Sequence, residues 1–176
     1  ITRVLSELGV DKIRLTGGEP FVRKDFVMFL ESLSYNENLK EINITTNGAL
    51  ITNHIADLEK MKIHAVNLSI DSLDRKKFFE ITRRDVFPMV MDTYHQLLQS
   101  KLKLKLNVVI QSGINTDEII DFIELTKNDK VSVRFIEEMP FNGKGLRRVK
   151  EVWNYDKIIN KINSHYTEIK PVESDK

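Results

Sequence analysis

Lys-Ile-Arg-Leu-Thr-Gly-Gly-Glu-Pro, residues 12–20, is the stretch that decides the fold. Ile13 and Leu15 alternate with Arg14 and Thr16, the period of a short strand. Gly17-Gly18 ends it and Pro20 stiffens the exit. A helical pattern then starts near Asp25, with Phe26, Phe29, Leu30 and Leu33 on one face. Ahead of the strand, Ile1, Val4, Leu5 and Leu8 recur with helical spacing until Gly9 stops them. The local unit is a strand, a glycine turn and a helix.

That unit repeats outward along the chain. Strand patterns run over about 41–46, 65–70, 103–110 and 131–136. Between them, Thr52 is placed to cap a helix carrying Ile55 and Leu58. A short helix after Asp74 includes Phe78 and Ile81, and a longer one covers 86–99. Asn115 and Glu118 have the spacing of a helix-start box ahead of Ile119, Phe122 and Ile123. A last helix carries Tyr155, Ile158, Ile159 and Ile162. One helix followed by five βα units predicts an α/β fold with a parallel sheet. The segment Phe141 to Arg148, with Gly143 and Gly145, reads as loop.

Parallel strands covered on both faces read as continuous apolar runs. These strands alternate instead. Ile42 and Ile44 alternate with Asn43, Thr45 and Asn47; Val66, Leu68 and Ile70 with Asn67, Ser69 and Asp71. Leu104, Leu106 and Val108 alternate with Lys103, Lys105 and Asn107, and Val133 and Phe135 with Ser132 and Arg134. The apolar phase must meet the helices. The polar phase then lines the other face, the interior if the sheet curls into a TIM-like (β/α) barrel. Unpaired buried polar groups cost about 1–3 kcal/mol each, so such an interior holds water or a polar ligand. Its cations, Arg14, Lys105 and Arg134 with Lys103 beside them, predict an anion such as a nucleotide or phosphate. A one-faced antiparallel sheet is the rival, and the βα alternation speaks against it.

Composition bounds the rest. The 176 residues suit one domain, read as a barrel over 1–170 with a polar tail over 171–176. A net charge of +1 gives no electrostatic reason for nucleic-acid or membrane binding. The absence of cysteine excludes disulfides and thiolate ligands within these residues. The four histidines stand at no metal-ligand spacing, so no metal site and no catalytic side chain is assigned. No apolar run is long enough to span a membrane, and the default setting is cytoplasmic.

In βα folds, function gathers where strands end. Gly17-Gly18 allows close backbone approach of a ligand, and Glu19 can accept from an ammonium group. Asn47-Gly48, Ser69, Asp71 and Met139 close the other strands. Each alone is an ordinary turn, cap or core residue. Their joint placement at successive strand ends raises the functional reading.

Residues 9–25 resemble the second-strand region of radical S-adenosylmethionine enzymes. Ile-Thr-Thr-Asn-Gly (44–48), Val-Asn-Leu-Ser-Ile-Asp-Ser-Leu-Asp (66–74), the run 106–115 and Arg-Phe-Ile-Glu-Glu-Met-Pro (134–140) agree as well. Together they are most similar to the GTP 3′,8-cyclase family of molybdenum cofactor biosynthesis. The resemblance implies a partial barrel and reductive cleavage of S-adenosylmethionine to a 5′-deoxyadenosyl radical. It implies GTP as substrate and a cyclic pyranopterin precursor of molybdopterin as product. By motif, Gly18, Glu19, Ser69 and Met139 match S-adenosylmethionine contacts, and Arg14, Thr45 and Lys105 match GTP contacts. It allows a homodimer and implies a downstream enzyme that takes up the precursor.

The family also holds two 4Fe–4S clusters on cysteines near its two ends, and this chain has none. The first barrel strand and the C-terminal region are missing too. Because Ile1 falls inside a helical pattern, the expectation is a central fragment, itself inactive. A peptide-modifying maturase of the same superfamily and a non-catalytic nucleotide-binding module are the alternatives. Two positions depart from the family pattern: Arg83, where Gly or Asn is usual, and Glu138, where an aromatic is usual.

Overall fold

The strands form as their alternation predicts, in a computed structural model that describes residues 1–128, 130–139 and 152–172. The segment 141–148, read as loop, lies outside the described residues, as do Pro140 and positions 173–176 of the expected tail. Strands β1 (Lys12–Leu15), β2 (Glu41–Thr46), β3 (Ile63–Ser69), β4 (Lys103–Ile110) and β5 (Val131–Glu137) lie in one sheet, in chain order. All four pairings are parallel. Strands β1 and β5 are its edges, so among the described residues the sheet stays open.

Helix α1 (Thr2–Glu7) precedes the sheet. The crossovers carry α2 (Phe26–Ser34), α3 (Ile55–Leu58), α4 (Arg75–Thr82) with α5 (Phe87–Gln99), and α6 (Ile119–Glu124); α7 (Tyr155–Asn163) follows β5. The apolar phase of the strands is sealed: Ile42, Ile44, Val66, Leu68, Leu106 and Val108 have no exposed surface. They form one core with Leu30, Leu58, Val90, Leu97, Ile119 and Phe122 from the helices. At the start of the β2–β3 pairing a register shift leaves His64 extra. It lets Ile63 join the apolar core although it shares the parity of Asn67.

Two local expectations are corrected. Thr52 makes no cap bond. Its hydroxyl meets Thr93 Oγ1 at 2.5 Å, and Thr93 in turn donates to Gly48 O at 2.7 Å. Nor do Asn115 and Glu118 form a helix-start box, since neither caps a helix with its side chain. Both reach instead to the end of β3. Partners across the fold take the side chains of Thr52 and Glu118, while Asn115 Oδ1 accepts from Gln111 N at 2.8 Å. Asp74 does cap as placed, accepting from Lys76 N and Lys77 N at 2.9 Å.

Gly48 and Arg83 have left-handed backbones, at φ +80° and +58°. A Cβ on Gly48 would stand 2.5 Å from Leu68 Cδ1. Gly48→Ala is therefore expected to cost about 2 kcal/mol of stability. Arg83 ends α4 in a conformation that glycine adopts without strain, so Arg83→Gly is expected to gain about 1 kcal/mol. Urea unfolding checks both, and an unchanged midpoint in Gly48→Ala would contradict the packing against Leu68.

Candidate ligand-binding site

The register sets the polar phase in rows across the sheet. Arg14 pairs with Asn43. Thr45, Asn67, Lys105 and Ser132 form the next row. Ser69, Asn107 and Arg134 form the third. The three residues matched to GTP thus share one face, with Asn67 between Thr45 and Lys105.

That face is electropositive at its centre. Burial holds the Lys105 ammonium below its ordinary pKa, and Arg134, Lys12 and Arg14 push in the same direction against a weaker opposing pull from Glu41. Lys12 is a member that the sequence reading passed over, although it sits two residues before Arg14 in the same phase. It pairs with Glu41 at 2.6 Å. Arg134 donates to Asn107 Oδ1 at 3.4 Å. Glu41 offsets only part of the positive charge, and a cluster of cations in excess of its anions is a site for an anionic ligand.

At the strand ends, Glu19 braces two segments. Its Oε1 accepts from Phe21 N at 3.2 Å and from Thr46 Oγ1 at 2.8 Å, and its Oε2 accepts from Asn47 N at 2.7 Å. A carboxylate has about four lone-pair positions, so one on Oε2 stays open to a ligand. Gly17 and Gly18 beside it are exposed, with open space where a Cβ would be.

Next to this brace lies a cavity of about 340 Å³, toward the small end for a ligand pocket. Asn47, Ser69 and Asp71 line it from the strand ends, and Phe78, Thr82 and Arg84 from and beyond α4. Of the cofactor-matched residues, Ser69 lines it and Glu19 joins it through Asn47. Met139 does not: it lies past β5 at 68% exposure.

The end of β3 is held by residues that sequence reasoning gave another role. Glu118 is buried and accepts from Ser72 Oγ and Leu73 N, both at 2.8 Å, and from Asp74 N at 3.2 Å. Lys77 Nζ approaches it at 3.6 Å. Asn115 Nδ2 donates to Asp71 O at 2.6 Å and to Val109 O at 2.8 Å. Asp71 Oδ1 accepts from Val109 N at 2.8 Å. Apart from the bond between Asn115 and Val109, six residues apart, these contacts join residues about forty positions apart and leave no local signal. Among the described residues no group of three or more acidic, His or Cys side chains could hold a metal ion, and no described helix is long and apolar enough to cross a membrane.

The radical SAM superfamily pattern matches residues 1–126, and the chain belongs to that superfamily. It is 41% identical over 162 residues to the GTP 3′,8-cyclase of Peptoclostridium acidaminophilum, covering 91% of this chain and 50% of that protein. It is 40% identical over 166 residues to the molybdenum cofactor biosynthesis protein moc-5 of Caenorhabditis elegans, covering 94% of this chain and 28% of that one. The chain thus spans half the length of the bacterial relative and just over a quarter of the nematode one. Streptococcus suis SuiB, in a crystal structure bound to S-adenosylmethionine, shares the fold at a TM-score of 0.71 and 23% identity, over 95% of this chain and 39% of that one. The partial barrel expected from sequence is therefore the fold of this superfamily.

Burial raises the Asp71 carboxyl above its ordinary 3.8, against a lesser lowering by its bond from Val109. The fold therefore favours the protonated form. That contribution is full below 3.8 and is lost as pH rises through the folded-state value. Asp71→Asn keeps an acceptor for Val109 and removes the charge. It is expected to raise the urea midpoint at pH 7, with the advantage shrinking as pH falls through the carboxylate range. An advantage that does not change with pH would contradict the assignment.

Proposed function

We propose that this chain is the central part of a GTP 3′,8-cyclase acting in molybdenum cofactor biosynthesis. The observation that carries the reading is the shared face of Arg14, Thr45 and Lys105, where positive charge in excess of Glu41 suits a triphosphate. The identity to named cyclases over most of this chain supports it. Arg14 offers a planar fork to phosphate oxygens, Lys105 a point charge and Thr45 a hydroxyl. Ser69 and the open lone pair of Glu19 suit the ribose and the ammonium group of S-adenosylmethionine, with Gly18 giving backbone access and Met139 an apolar contact at the rim. The polar lining of the cavity, Asn47, Ser69 and Arg84 with the acceptor Asp71, fits a polar nucleoside. S-adenosylmethionine held by Gly18, Glu19, Ser69 and Met139 would supply the radical chemistry of the superfamily once an electron reached it from a cluster outside these residues, and Arg14, Thr45 and Lys105 would hold GTP beside it.

The two iron–sulfur clusters of the family do not fit these residues, which include no thiolate. This chain alone is accordingly expected to leave S-adenosylmethionine intact in the presence of a reductant. The reading carries a cytoplasmic setting, a downstream enzyme that takes up the precursor, and an arrangement as a homodimer.

Isothermal titration with GTP tests it against the peptide-modifying and non-catalytic alternatives. GTP should bind more tightly than guanosine. Arg14→Ala and Lys105→Ala should each weaken it about tenfold, the loss of one charge-assisted bond. Affinity that ignores the phosphates would favour a peptide-modifying enzyme. Release of 5′-deoxyadenosine by the chain alone would contradict its dependence on cluster ligands elsewhere.

A further inference from the structure

The polar face carries two groups that anion binding does not use. Asn43 and Asn67 are 3% and 1% exposed, and the Oδ1 of each is buried without a hydrogen-bond partner. The amide nitrogen of Asn67 is committed, and the Asn43 side chain lies beside Glu41. Asn67 Nδ2 donates to Ile44 O at 3.1 Å. Lys12 first, and among weaker partners the Asn43 amide, hold the Glu41 carboxyl below its ordinary range. The bond from Asn67 fixes which end of its amide is free. An unpaired buried acceptor costs about 1–3 kcal/mol, and native folds leave few of them. Two on neighbouring strands of one face mark a partner that arrives with a ligand.

The register says what kind of partner. Asn43 pairs with Arg14, and Asn67 lies between Thr45 and Lys105. Asn43 also pairs with Ala65, two residues before Asn67, so the two side chains are diagonal neighbours. Both acceptors thus lie among the residues that would take the triphosphate. A phosphate group at neutral pH offers acceptor oxygens and cannot satisfy them. They need donors on the same molecule, close to its phosphates and adjacent to one another. In a nucleoside triphosphate the nearest such pair is the two ribose hydroxyls, with the base donors further off.

We infer that Asn43 and Asn67 are substrate-recognition residues whose free carbonyl oxygens accept hydrogen bonds from the 2′- and 3′-hydroxyls of a ribonucleoside triphosphate. The inference rests on the GTP reading of this face and deepens it: the site selects the ribose as well as the charge. Both oxygens are closed to water, so a ligand must first displace a neighbour. Lys105, beside Asn67 and crowded by Arg134, Lys12 and Arg14, is the side chain that a triphosphate would draw away.

The test is calorimetric titration of this chain with GTP, 2′-deoxyGTP, 3′-deoxyGTP and inorganic tripolyphosphate. The unaltered chain should bind GTP at least about tenfold more tightly than either deoxy analogue. Asn67→Ala and Asn43→Ala should each erase much of that preference while leaving tripolyphosphate affinity unchanged. The two variants are independent, so either one that folds suffices. Equal affinity for GTP and both deoxy analogues, or a preference that survives in the variants, overturns the inference and leaves the anion site standing. Failure of both GTP and tripolyphosphate to bind overturns the GTP reading and the inference with it.

Discussion

The constraint on which everything else rests is that the helices bury only one face of the sheet. Five strands obey it by keeping most of their apolar residues in one phase, with Ile63 brought in by the register shift. A buried Val, Leu or Ile side chain is worth about 1.5–3 kcal/mol, and six from β2 to β4 are fully sealed. A one-residue slip of β4 would send Lys105 and Asn107 into that core and turn Leu106 outward. The register that protects the core is therefore the register that aligns Thr45, Asn67 and Lys105. The ligand face is a by-product of core formation, and its chemistry is set by whatever occupies the other parity.

The strand ends add a second layer of construction. Glu19 ties the Gly-Gly turn to the exit of β2, and Glu118 ties the exit of β3 to the start of α6. Both carboxylates accept from backbone N–H groups of the loops that follow the strands. Their work is to hold Asn47, Ser69 and Asp71 around one cavity. By contrast, the centre of the face is assembled against stability. Lys105 is partly desolvated among other cations, and two amide oxygens go unpaired. Such uncompensated groups are tolerated in a fold where binding later satisfies them.

Much of this was legible in the sequence because it depends on local period. Alternation located the five strands and their phase, and Gly17-Gly18 and Asn47-Gly48 marked strand ends. Arg14, Thr45, Lys105 and Ser69 were placed on one face by parity alone. Contacts across the fold were not legible. Asn115 and Glu118 have the spacing of a cap, and nothing nearby shows that their partners are residues 71–74. Thr52 failed in the same way, its hydroxyl taken by Thr93. Asn43 and Asn67 were visible as polar, but that their oxygens lack partners follows only from three-dimensional packing. Lys12 was missed because strand ends were read for turns and not for charge.

The central claim is that the polar face is held positive and under strain until an anion arrives, and the Lys105 ammonium reports on it most directly. Its pKa can be followed by nuclear magnetic resonance of isotopically labelled lysine side chains, assigned with Lys105→Arg, with and without GTP. The account predicts a value below the ordinary 10.5 in the free protein and a rise on adding GTP. An ammonium at or above its ordinary value that GTP does not move would contradict it.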